Sequence, residues 1–87
     1  MKTVYKYSVP IADNPVIPLP EGAKVLSVGA QDYEVKLWAL VDPDKPMVSR
    51  NFRLAGTGHD IEGNNLHFIG TVIMNGLVLH LFEQVEF

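Results

Sequence analysis

The chain has 87 residues, 47% of them hydrophobic and 20% charged, which suits one folded domain spanning residues 1–87 and excludes a disordered tail. Ten acidic against seven basic residues give a formal charge of −3, and the basic residues are spread singly, which argues against binding to duplex nucleic acid. The chain contains no cysteine, which excludes disulfides and thiol catalysis. Without a signal-peptide core or an apolar window near the ~20 residues of a membrane span, we expect a soluble cytoplasmic protein that does not enter membranes.

The predicted elements are all strands. In chain order they cover residues 3–9, 16–19, 24–29, 33–41, 48–55, 66–74 and 77–82, with 83–87 as an extension of the last. Pro15, Pro18 and Pro20 limit the second predicted strand to the edge of a sheet at best, because proline has no N–H to donate to a neighbouring strand. In the fourth, one face is apolar throughout and the other becomes apolar after Lys36, which predicts a strand that ends buried on both faces.

Turn signals separate these strands. A turn is predicted at Gln31–Asp32, another over residues 42–46, and a loop over 56–65, while Asn75-Gly76 is the strongest two-residue hairpin signal. No segment shows a helical stripe. Six to seven short strands with turns every ~8–12 residues predict an all-β fold, either a small antiparallel sandwich or a partly open barrel.

Several motifs occur in a specific order along the chain. They are Lys6-Tyr7, LPEGA at 19–23, LSV at 26–28, LWALVDP at 37–43, Arg50-x-Phe52, GTGH at 56–59, Ile69-Gly70-Thr71 and HLFE at 80–83. With them the chain resembles a family of short uncharacterised bacteriophage and prophage proteins over nearly its whole length, departing in residues 62–67 and after Glu83. The resemblance implies a phage origin, and by analogy with other small phage accessory proteins it suggests action on host machinery, defence systems included.

One polar corner is the candidate ligand site. It consists of Gly56, Thr57, Gly58 and His59 (the GTGH corner), with Arg50 and Arg53 on the preceding strand. Glycines permit positive φ and expose backbone N–H groups that can hold a phosphate, and the arginines would add charge. The spacing is not that of a phosphate loop, so the alternative is a tight turn whose histidine stabilises its own loop.

Metal and catalytic sites are not predicted. His59, His67 and His80 with Asp60 and Glu62 lack a recognised ligand spacing, and the three serines lie within strands without an elbow turn. We therefore expect no metal, no cofactor and no enzymatic activity.

Interface residues are predicted in two places. Tyr5 and Tyr7 share one face of the first strand, where core packing is the main alternative to a partner surface. The apolar last strand, with Leu79 and Leu81, is predicted to lie at a sheet edge and to add a strand from a second copy, giving a homodimer. The other aromatic residues, Trp38, Phe52 and Phe87 among them, are assigned mostly to the core.

Three functions fit this sequence. The first is a phage protein that inhibits a host protein by occupying its surface. The second is a binder that sequesters a small nucleotide-like ligand at the GTGH corner, and the third is a structural or assembly accessory. Replacing Arg53 and His59 with Ala should abolish the second function and spare the first.

Overall fold

The computed structural model describes residues 1–63 and 65–85, and its described part contains seven strands and no helix. The strands are β1 (Thr3–Ser8), β2 (Val16–Pro20), β3 (Lys24–Gln31), β4 (Glu34–Val41), β5 (Met47–Gly56), β6 (Leu66–Met74) and β7 (Leu77–Gln84). They form two antiparallel sheets that do not close into a barrel. The all-β prediction is confirmed, and of the two predicted architectures the sandwich is the one that forms.

The order of strands decides which edges are open. One sheet has the order β1-β4-β3 and the other β2-β5-β7-β6. The proline-rich strand β2 lies at an edge, as predicted. The predicted edge at the last strand is wrong, because β7 is paired with β5 on one side and β6 on the other. Of the predicted extension beyond β7, Glu86 and Phe87 lie outside the described residues.

The core lies between the sheets and is built from alternate residues of each strand. Its largest fully buried side chains, less than 2% exposed, are Leu19, Val35, Leu37, Val41, Phe52 and Leu81. On β4 the odd-numbered residues point into this core, whereas Trp38 and Leu40 on the outer face are only half-buried. The prediction that β4 ends buried on both faces is therefore wrong, because the second sheet covers only one face of β4.

Two tight turns close the β3–β4 and β6–β7 hairpins. Asn75 and Gly76 have φ of 50° and 80°, which confirms the predicted two-residue hairpin. Asp32 and Tyr33 have φ of 54° and 62°, so this turn lies one residue later than predicted. Tyr33 is 84% exposed at its tip, in a backbone conformation that bulky residues rarely adopt.

The two sheets approach each other closely where β6 passes β3. A Cβ atom placed on Gly70 would lie 2.9 Å from Cγ1 of Val28. We expect Gly70→Ala to lower the free energy of unfolding by about 1–3 kcal/mol, because the added methyl group overpacks this contact. Urea denaturation monitored by Trp38 fluorescence would measure the loss.

The partner residue supplies the control for this prediction. Val28→Ala removes Cγ1, so the double variant should be more stable than the sum of the two single losses indicates. Strictly additive losses would show that the cost of Gly70→Ala does not come from this contact.

Candidate functional site

The GTGH corner is a turn that ends β5. The His59 N–H donates to the Gly56 carbonyl at 3.1 Å, and Gly58 has a φ of 87°, which suits glycine at the third position of such a turn. The imidazole then folds back over the turn, and the Gly56 N–H donates to its Nδ1 at 3.3 Å. A backbone donor that an anion would need is thus bonded to the protein's own histidine. This geometry matches the interpretation in which His59 stabilises its own loop.

Arg53 lies beside the corner but holds loops together. Its Nη1 donates to the carbonyls of Asp13 and Leu54 at 3.0 and 2.7 Å, and its Nη2 donates to the carbonyl of Asp60 at 3.0 Å. A surface depression of about 250 Å³ next to it is also lined by Asn14 and Glu62. The carboxylates around this depression oppose the binding of a phosphate.

Arg50 lies away from the corner, on the opposite face of β5. Its Nη2 donates to Oε1 of Glu83 at 2.8 Å, and its Nη1 donates to the Ala23 carbonyl at 2.6 Å. The hydrogen bond with Glu83 raises the pKa of Arg50 above its usual value. Ala23 lies in the connection between β2 and β3, so Arg50 joins this connection to Glu83 on β7. The six predicted ligand residues therefore do not form one site.

His80, which the sequence analysis weighed as a metal ligand and assigned to no site, lies on the outer face of β7. Nε2 of His80 is 2.8 Å from Oγ1 of Thr57, and its Nδ1 is 2.8 Å from Oγ1 of Thr71. A neutral imidazole has one donor and one acceptor nitrogen, and a hydroxyl can complement either. The two threonines therefore fix the orientation of this ring. The contact of His80 with Thr71 could have been predicted from the sequence, because the two-residue turn at Asn75-Gly76 sets the register that places these residues opposite each other. The contact with Thr57 depends on the conformation of the turn after β5.

The outer side of β6 and β7 presents an uncharged surface around this histidine. Cross-strand pairing and exposure define this β6–β7 face as Phe68, Thr71, Ile73, Val78, His80 and Phe82. Ile73 is 70% exposed and Phe68 is 53% exposed. The rings of Phe68 and Phe82 lie 5.3 Å apart between centroids, with planes tilted by 57°. Adjoining aromatic and aliphatic groups of this kind are typical of surfaces that bind proteins.

A family model matches the chain over residues 1–87, that of the DUF7352 domain of unknown function. The chain belongs to the DUF7352 family. The predicted membership of an uncharacterised family is thus confirmed, while the phage origin stays a prediction. No curated protein and no solved structure matches this DUF7352 domain.

The predicted interface residues of the DUF7352 domain fall into two groups. Tyr7 packs against the core, whereas Tyr5 is 47% exposed. The pKa of Tyr7 is raised, mainly because its hydroxyl is partly buried and to a smaller extent because Tyr5 lies nearby. Leu81 is fully buried and Leu79 packs against the core, because odd-numbered residues of β7 point between the sheets. The assignment of Leu81 to an interface is therefore wrong, and dimerisation through an open β7 edge loses its basis.

The described part of the DUF7352 domain contains neither a cluster of metal ligands nor a membrane-spanning helix. Within residues 1–63 and 65–85, no three His, Asp or Glu side chains are close enough to hold a metal ion together. The same residues include no helix of the length and hydropathy needed to span a bilayer.

Proposed function

We propose that this DUF7352 domain is a bacteriophage accessory protein that binds a host protein in the cytoplasm and inhibits it, without catalysing a reaction. The phage origin is supported by the ordered motifs at residues 37–43, 50–52 and 56–59. The binding mode is supported by one observation, the β6–β7 face. Its most exposed apolar side chains, Ile73 and Phe68, lie outside the core between the sheets.

The β6–β7 face suits a partner surface that becomes dry on binding. Interface cores are depleted in charged residues and enriched in aromatic ones, and none of the six residues of this face carries a full charge when His80 is neutral. Thr57 and Thr71 hold His80 in place before binding, so its orientation costs little entropy on association. Inhibition then follows from occupying the partner's surface.

Sequestration of a nucleotide-like ligand is less well supported by the geometry. Arg50 is paired with Glu83, and Arg53 is bonded to three backbone carbonyls. An anion would have to displace these bonds. Self-association as an assembly accessory remains a separate outcome that the experiment below distinguishes.

A lysine placed on the β6–β7 face tests the proposal. We expect Ile73→Lys to weaken capture of the host protein at least about tenfold, because a charge in a dry interface core must be desolvated without a partner. Val16→Lys is the matched control, since Val16 is also a half-exposed aliphatic residue of the same sheet but lies on β2 at the opposite edge. Native mass spectrometry of each variant purified from phage-infected cells would measure which host proteins remain bound.

The outcomes separate the three functions. A host protein retained by the wild type and by Val16→Lys but lost from Ile73→Lys supports inhibition through this face. Equal retention by all three proteins contradicts it. A small-molecule mass lost on replacing Arg53 and His59 with Ala would support sequestration instead, and homo-oligomers alone would support an assembly role.

A further inference from the structure

The outer side of the three-stranded sheet carries a second distinctive surface, on the opposite side of the sandwich from the β6–β7 face. Even-numbered residues of β1 and β4 point outward there, together with their cross-strand partners on β3. We define the Trp38 face by six of these residues: Val4, Lys6, Lys24, Lys36, Trp38 and Leu40. Trp38 is the only tryptophan in the chain, and it is half-buried.

This face has a charge opposite in sign to that of the chain. Lys6 pairs across the strands with Trp38, and Lys24 pairs with Leu40, so lysines far apart in sequence lie on one surface. Among the described residues of β1, β3 and β4, Glu34 is the one acidic side chain. Three lysines against one carboxylate make the face positive, although the net charge of the chain is −3.

Hydrogen bonds hold two of the lysines of this face, Lys36 and Lys6, in place. The Lys36 ammonium donates to Oγ of Ser8 at 2.8 Å and to Oε2 of Glu34 at 2.7 Å, and this bond lowers the pKa of Glu34. Lys6 donates to the neutral amide oxygen of Gln31 at 2.6 Å, so its charge is not cancelled by this contact. Such preordering reduces the entropy lost when a partner binds.

Trp38 forms the centre of the surface. Its six-membered ring lies over Gly29, with Cζ3 only 3.3 Å from the position that a Cβ on Gly29 would take. The exposed aliphatic residue Val4, 49% accessible, lies on β1 and pairs across the strands with Leu40, the next outward-pointing residue of β4 after Trp38. Tryptophan is the residue most enriched among those that dominate binding energy, and a surrounding rim of charges selects the partner.

We propose that the Trp38 face is a second binding surface, which takes an acidic segment of a partner protein. Carboxylates of the partner would pair with Lys6 and Lys24, while an apolar side chain packs on Trp38 and Val4. Single-stranded nucleic acid fits less well, because its binding sites present several stacking aromatics in a strongly basic groove. The Trp38 face has one aromatic ring, and Glu34 offsets one of its lysines.

The single tryptophan allows a direct test. The probe is a synthetic peptide of alternating glutamate and valine, titrated into the full chain at low salt while the emission of Trp38 is followed. We expect a saturable change in emission, weakened at least about tenfold by the double substitution Lys6→Glu/Lys24→Glu. Lys45→Glu reverses one lysine charge in the β4–β5 turn, off this face, and should leave the affinity within about twofold.

A second titration series identifies the class of ligand and keeps this proposal separate from the proposed function. Oligo(dT) carrying the same number of charges should bind more weakly than the peptide; tighter binding would overturn the assignment to a protein partner. Ile73→Lys should bind the peptide normally, because Ile73 lies on the other sheet. No emission change with the peptide, or equal binding by the double charge reversal and the wild type, would overturn the proposal.

Discussion

Replacing Phe52 with alanine should lower the free energy of unfolding by about 3–5 kcal/mol. The ring is fully buried on β5, between the two sheets, and its removal leaves a cavity that the surrounding strands cannot fill. A domain of this size has a total stability of only about 5–10 kcal/mol, so the variant should be close to unfolding at growth temperature. Thermal unfolding by circular dichroism and urea denaturation would both show the loss.

A second phenylalanine in the same sheet supplies the matched control. Phe68 is 53% exposed on β6, so Phe68→Ala should change the unfolding free energy by less than about 1 kcal/mol. If both variants lost the same stability, burial in the sandwich core would not be the reason for the effect of Phe52.

Replacing Arg50 with alanine should cost about 2–3 kcal/mol of stability, somewhat less than breaking a fully buried ion pair. The side chains of Arg50 and Glu83 are only 20% and 16% exposed, so the variant leaves a mostly buried carboxylate without its partner. It also removes the hydrogen bond to the Ala23 carbonyl, which fixes the connection between β2 and β3 to β5. Urea denaturation at neutral pH would measure the loss.

The double variant Arg50→Met/Glu83→Leu tests the cause. It replaces the ion pair with apolar groups of similar size and should recover much of the lost stability, because no charge is then left unpaired. If the double variant were less stable than Arg50→Ala, an unpaired Glu83 would not explain the loss.

Local patterns predicted the strands well, but not the edges of the sheets. The bounds of β6 and the hairpin at Asn75 follow from alternation and turn chemistry within a few residues. An interior strand and an edge strand can share the same apolar sequence, so β7 was misplaced. Which strands flank β7 depends on pairing between distant parts of the chain, and one sequence does not show that pairing.

The candidate ligand site was predicted wrongly for a different reason. Arg50 and Arg53 are three residues apart on β5, and the alternation of a strand already places them on opposite faces. That signal was present in the sequence and argues against a shared anion site. The grouping of Lys6, Lys24 and Trp38 could not be seen in the same way, because it requires the register of β1 and β3 against β4.

The strand pairing also has a consequence for the chain during its synthesis. β1 pairs with β4, and β2 with β5, so both leave the ribosome before their partners exist. The β3–β4 and β6–β7 hairpins, by contrast, can close within microseconds. Until β4 and β5 are made, two unpaired strands are exposed to other chains. Four of the six prolines, Pro10, Pro15, Pro18 and Pro20, lie between β1 and β3, and proline disfavours the pairing of strands from different chains that begins aggregation.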